Sequence, residues 1–138
     1  MIGLDTNVLV RYYVQDESDA EAQRQHDAAR RLIESGEPLM VSKSVLLELE
    51  WVMRGYYGFA MSEIDTAMRH LLGLAQVEVE DRGAVEQALS HAAAGLDFAD
   101  ALHLASYRDC SALASFDDRK FARRAKRMNL APKVVIPE

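Results

Sequence analysis

The chain has 138 residues, nearly half of them apolar, with only 7 glycines and 3 prolines. That composition suits one compact domain over residues 1–138 with a core of its own, and it argues against a disordered chain or an all-β sandwich. Its single cysteine, Cys110, excludes an internal disulfide and a cysteine-based zinc site. The net charge of −6 hides an asymmetry: residues 119–133 carry seven Lys/Arg and no acid, so the remainder is strongly acidic.

In chain order, residues 2–4 read as a short strand that ends at Asp5, and Thr6 is positioned to cap a short helix to about Val14. A helix is predicted from Ser18, closed by Gly36. The segment PLMVS is a brief strand, after which Ser42 or Ser44 caps the long helix VLLELEWVMRGYYG. Another helix starts at Ser62. QVEVE alternates like a strand, DRGAVEQALSHAAA is helical, and Asp97 caps the helix DFADALHLASYRD. SALASF is a strand, DDRKFARRAKRM a basic helix, and KVVI a closing strand. Strands alternating with helices predict a three-layer α/β/α fold on a mainly parallel central sheet, with a paired-helix insertion between Ser42 and Leu74. Cys110 falls in an apolar helical stretch, where a small buried side chain is expected.

Parallel α/β sheets gather functional groups at the carboxyl ends of their strands. Asp5 follows the first strand, Asp117 follows SALASF, and Asp100 lies in the first turn of its helix. Each has a structural alternative: Asp97 and Asp117 are natural caps, and Asp100 suits the positive end of a helix dipole. Glu48 is harder to explain in that way. The helix periodicity draws an apolar stripe through Val45, Leu49, Val52, Met53 and Tyr56, and Glu48 borders it without a basic residue at helical spacing. Glu50, by contrast, has Arg54 at i+4 and reads as a surface ion pair. The periodicity thus predicts a Glu48 carboxylate turned inward and in need of a cation. Carboxylates brought together stay ionised only if a cation neutralises them, and all-oxygen donors select Mg²⁺ or Mn²⁺. Such a site suits phosphodiester hydrolysis.

Four segments, GLDTNVLV, LLELEWVM, DFADALHLA and SFDDRKFAR, stand in this order along the chain. In sequence and spacing they resemble PIN domains, and most of all VapC-type toxins, over essentially the whole chain. The resemblance implies a PIN fold and an endoribonuclease dependent on Mg²⁺, with Mn²⁺ able to substitute, in which a metal-activated water attacks the phosphorus and leaves a 5′-phosphate and a 3′-hydroxyl. It implies that Asp5, Glu48, Asp100 and Asp117 are the catalytic, metal-binding acids. Thr6, Asn7, Asp97 and Ser115 match supporting positions, with Ser115 where the family usually carries Thr. The adjacent Asp118 leaves the fourth acid open, and Asp117 is favoured because it directly follows Phe116. A homodimer and a VapB-type antitoxin are implied as partners beside the RNA substrate.

Lys120, Arg123, Arg124 and Arg127 share one face of the basic helix opposite Phe121, Ala125 and Met128. That face reads either as a solvated surface or as a phosphate-tracking patch for RNA. His26, His70, His91 and His103 form no ligand-spaced cluster, and His103 reads as a polar core residue or as a support for Asp100. Trp51 is assigned to core packing, while Tyr56 and Tyr57 are candidates for a dimer or antitoxin groove. Two other readings are an aspartyl-phosphate phosphatase using Asp5, against which Asn7 counts, and a PIN-like binder of RNA or protein that cleaves nothing. With no basic leader and no run near the roughly 20 apolar residues of a membrane span, a cytoplasmic location is expected.

Overall fold

A computed structural model describes residues 1–138. Its backbone contacts divide the chain into two units, Met1–Glu80 and Asp81–Glu138, each described by itself.

In the first unit, strands β1 (Ile2–Gly3), β2 (Leu39–Val41) and β3 (Val77–Val79) form a parallel sheet in the order β1-β2-β3. Leu39 lies opposite Val77 and Val41 opposite Val79, and all four are buried, while Met40 and Glu78 point to the other side. The alternation in the sequence therefore reports a sheet with one covered face. Helix α1 (Thr6–Tyr13) follows β1 and α2 (Ala20–Ile33) leads back toward β2, with Leu9, Val10, Ala22, Ala29 and Ile33 buried. Helix α3 (Lys43–Trp51) begins at Ser42, whose Oγ accepts the Val45 N–H at 3.3 Å. A π-helical turn, Val52–Tyr56, extends it, and α4 (Met61–Leu72) buries Ile64, Met68, Leu71 and Leu72. Full burial of each such side chain contributes about 1.5–3 kcal/mol.

Three expectations fail in this unit. Thr6 does not cap α1. Asp5 does, its Oδ1 accepting the Thr6 N–H at 2.8 Å, which leaves Thr6 inside the helix and buried. The buried face of α3 is Leu46, Leu49 and Glu50, continued by Met53, so Glu48 is exposed and Glu50 is 2% exposed. A stripe through Val45 and Tyr56 assumes one unbroken α-helix. The observed face, Leu46, Leu49, Glu50 and Met53, is a regular i, i+3, i+4, i+7 stripe turned by one residue from the expected one, and the wider π turn, with Tyr57 N–H donating to Val52 O at 3.2 Å, alters the register only from Val52 onward. Gly58, at φ +74, then ends the segment in a left-handed conformation. Trp51 and Tyr56 emerge on the surface, 62% and 77% exposed, so the core assignment of Trp51 is also wrong.

In the second unit, α5 (Arg82–Ala93) packs against α6 (Phe98–Ser106) through Ala84, Val85, Ala88, Leu89, Phe98, Leu102 and Ala105, which are all buried. The small residues let the two helices approach closely. Strands β4 (Ala112–Ala114) and β5 (Lys133–Val135) pair in parallel, Leu113 opposite Val134. Between them run a second π-helical turn, Asp118–Ala122, and α7 (Arg123–Arg127), which bury Phe121, Ala122 and Ala125. Met128, expected in that stripe, is half-buried. Cys110 is exposed, because α6 ends at Ser106 and leaves it in the following turn. His103 is exposed too, on the outer side of α6, and is not a core histidine. Every strand pairing is parallel and every crossover is helical, which is the α/β class read from the sequence. No helix is long and apolar enough to cross a membrane.

Candidate active site

In the first unit the chain leaves the sheet at Leu4, whose N–H still donates to Met40 O at 2.9 Å, and the next residue is Asp5. An exposed carboxylate is thus delivered at the strand's carboxyl end, with one oxygen fixed by the helix it caps. Asp5 and Glu48 line the same open cavity of about 430 Å³, together with Thr6, Asn7, Val10, Arg11, Gln25, Val52 and Tyr57. What brings Glu48 there is its exposed side of α3, so the inward turn inferred from periodicity is corrected. Thr6 Oγ1, buried beside Asp5, has no hydrogen-bond partner.

Glu50 makes a different contact. Its buried carboxylate accepts the Arg54 Nε–H at 2.7 Å, and Arg54 is half exposed. The pair foreseen from i,i+4 spacing forms, but it sits with its acid in the core rather than on the surface. A larger cleft of about 500 Å³ in this unit is lined by Tyr12, Tyr13, His26 and His70 and holds none of the expected acids. Its Glu34 is paired with Arg30 at 3.0 Å, and its Glu63 accepts the Ala60 N–H. The smaller cavity is the one with uncommitted carboxylates.

In the second unit Asp97 caps α6, its Oδ1 accepting the Asp100 N–H at 3.1 Å. Asp117 caps the π turn, its Oδ1 accepting the Lys120 N–H at 2.9 Å, and its own N–H donates to Ser115 Oγ at 3.1 Å. The Asp100 carboxyl is pushed up to about 6, first by burial and then by the charges of Asp97 and Asp117, while His103 and Arg124 pull it partly back. Asp97 and Asp117 therefore each lie within electrostatic reach of Asp100. Asp118 does not belong with them: its Oδ2 accepts from Arg123 Nη2 at 2.9 Å and from Nε at 3.2 Å. Of the two adjacent acids, Asp117 is the one without an ion pair.

In neither unit are three His, Cys, Asp or Glu side chains gathered tightly enough to hold an ion ready-made. The donors nonetheless fit a hard divalent cation. They are all oxygen, and Asp100 is under like-charge pressure that a cation relieves. Arg11, Gln25 and Tyr57 had no place in the sequence reading of this site. Arg11 and Gln25 come from separate helices and meet only in the fold, and the position of Tyr57 depends on the π turn.

The sequence pattern of the PIN domain matches residues 2–127. No curated protein matches the chain. Among solved structures, the chain is similar to Mycobacterium tuberculosis VapC20, described as a sarcin–ricin loop cleaving toxin. The two share 24% identity over 84% of this chain and 88% of that one, with a TM-score of 0.42.

Proposed function

The chain belongs to the PIN domain family, and from that premise we propose that it is a divalent-metal-dependent endoribonuclease, the toxin of a VapC-type toxin–antitoxin pair. The observation that supports this reading is the Asp100 carboxyl, half-buried at the start of α6 and raised first by burial and then by the charges of Asp97 and Asp117. Crowding of that kind costs stability and is retained where a cation or a reaction uses it.

Asp5, Glu48, Asp100 and Asp117 are assigned as ligands of Mg²⁺, with Mn²⁺ as a substitute. When bound, such an ion would supply polarisation of a phosphoryl oxygen and a lowered pKa for an attacking water. The chain's own residues prepare that chemistry. Asp5 and Asp117 each spend one oxygen on a backbone N–H, which orients the carboxylate and leaves the other oxygen for the ion. Asp97 holds the first turn that carries Asp100, and Ser115 holds the backbone of Asp117. Thr6 and Asn7 support Asp5. Lys120, Arg124 and Arg127 are assigned to RNA phosphates, with Arg123 partly neutralised by Asp118. A VapB-type antitoxin and a second copy of the chain are the proposed protein partners, and the cytoplasm the proposed location; these rest on the four sequence motifs.

Incubation of labelled RNA with the purified chain in Mg²⁺, in Mn²⁺ and in EDTA tests the reading. Cleavage in both metals, none in EDTA, and none with a folded Asp100→Asn variant is expected. RNA that is bound but never cut would replace the nuclease with a silent binder.

A further inference from the structure

We propose that Glu80 is a positioning residue for the metal site: its carboxylate ties the first turn of α3 to the carboxyl end of β3 and so sets where α3 presents Glu48 to the cavity it shares with Asp5. The proposal rests on Glu48 as a metal ligand and deepens that reading. Three parallel strands, in the order β1-β2-β3, bring their carboxyl ends to one edge of the sheet. Asp5 follows β1, α3 follows β2, and Glu80 follows β3. The exit of β2 is held from both sides, since Leu4 N–H donates to Met40 O and Glu80 N–H donates to Val41 O, each at 2.9 Å. That pairing puts the Glu80 side chain beside the start of α3, where its Oε1 accepts the Lys43 N–H at 2.9 Å.

Two features separate this contact from an ordinary cap. Helix α3 already has a local cap in Ser42, whose Oγ accepts the Val45 N–H, whereas Glu80 reaches the helix from 37 residues away. A local cap travels with its helix, but a carboxylate on a neighbouring strand fixes the helix against the sheet. The second feature is the freedom of Glu48. Asp5 and Asp117 each have one oxygen fixed by a backbone N–H, while the Glu48 carboxylate is exposed and makes no hydrogen bond or ion pair. With no contact of its own, Glu48 inherits its placement from α3. Glu78, two residues before Glu80 and also exposed, has the same charge without the helix contact.

The test is Mn²⁺ affinity, read by EPR of the free ion, beside deuterium exchange of the Lys43 amide, read by NMR. Both are measured on the full chain as wild type, Glu80→Ala, Glu80→Gln, Glu78→Ala and Glu48→Gln. Glu80→Ala should weaken Mn²⁺ binding by roughly 3- to 10-fold, the scale of one hydrogen bond, and should speed Lys43 exchange. Glutamine keeps an acceptor oxygen, so Glu80→Gln should restore both. Glu78→Ala loses the same charge and should change neither. Lys43→Pro removes the donor instead: proline is accepted at the first helical position, and Ser42 before it is already extended, at φ −83° and ψ 160°. Compared with Lys43→Gln, which loses only the side-chain charge, it should weaken Mn²⁺ binding as Glu80→Ala does. Adding Glu80→Ala to it should then cost nothing more. Fast Lys43 exchange at unchanged Mn²⁺ affinity would make Glu80 a cap only and overturn the proposal, as would an equal loss in Glu78→Ala. Weak binding by Glu48→Gln beside an unaffected Glu80→Ala rejects the tether and keeps the ligand. Wild-type affinity in Glu48→Gln removes Glu48 from the site, and the proposal with it.

Discussion

Asp97 and Asp100 are joined by a hydrogen bond that sets two carboxylates against each other: the side chain of the first accepts the backbone N–H of the second at 3.1 Å, one helical turn away. The cap that starts α6 is thereby also a source of the charge that raises Asp100. Local helix chemistry and site chemistry share one residue.

A pH dependence follows from this pair. The Asp100 carboxyl lies at about 6 in the folded protein against an ordinary 3.8, so the native state holds that proton more tightly than the unfolded chain. Its contribution to stability is fully present below about pH 4 and is lost as pH rises through about 6. In EDTA, the melting temperature of wild type should fall between these limits relative to that of Asp100→Asn. Asp97→Asn keeps a good cap and removes one neighbouring charge, so the Asp100 titration followed by NMR should move down toward the ordinary value. An unchanged midpoint would mean that burial and Asp117 raise it without help from Asp97.

Asp5→Asn separates catalysis from folding. Asparagine caps a helix about as well as aspartate, so α1 should persist, whereas Asp5→Ala should cost about 1 kcal/mol for the lost cap. Both variants should lose cleavage, and urea unfolding should find only the alanine variant clearly destabilised. A folded, fully active Asp5→Asn protein would end the metal-nuclease assignment.

Metal should stabilise the fold. An ion that binds the native chain at a hundredfold excess over its dissociation constant contributes about 2.7 kcal/mol, or a rise of several degrees in Tm for a chain of this size. Melting curves with EDTA and with Mn²⁺ should show that rise for wild type and a smaller one for Asp5→Asn and Asp100→Asn. Equal shifts in all three would place the ion elsewhere.

Glu50 and Arg54 should respond unequally to substitution. Arg54→Gln leaves a carboxylate that is 2% exposed without its charged partner, at a cost of about 1–3 kcal/mol. Glu50→Gln leaves a half-exposed guanidinium that water can serve, and should cost less. Chemical denaturation of both variants measures the difference, and the opposite order would show that the buried acid does not depend on Arg54.

Much of this protein was legible in its sequence because the relevant physics is local. The alternation in QVEVE, the cap at Asp97, the Ser42 start of α3 and the acids placed after strands all follow from interactions within a few residues. The same local rules, combined with four ordered motifs, led to the PIN family. What they could not supply was which face of α3 is buried. Leu46, Leu49, Glu50 and Met53 form a regular i, i+3, i+4, i+7 face, as consistent with helical periodicity as the one drawn through Val45 and Val52, and tertiary packing chose it, with Glu48 and Trp51 outside and Glu50 inside. Tertiary structure likewise decided that Asp118 is committed to Arg123 while Asp117 is not, and that Arg11 and Gln25 share a cavity with Asp5. Those outcomes depend on distances between segments far apart in sequence, or on one wide turn of backbone, and no periodicity encodes either.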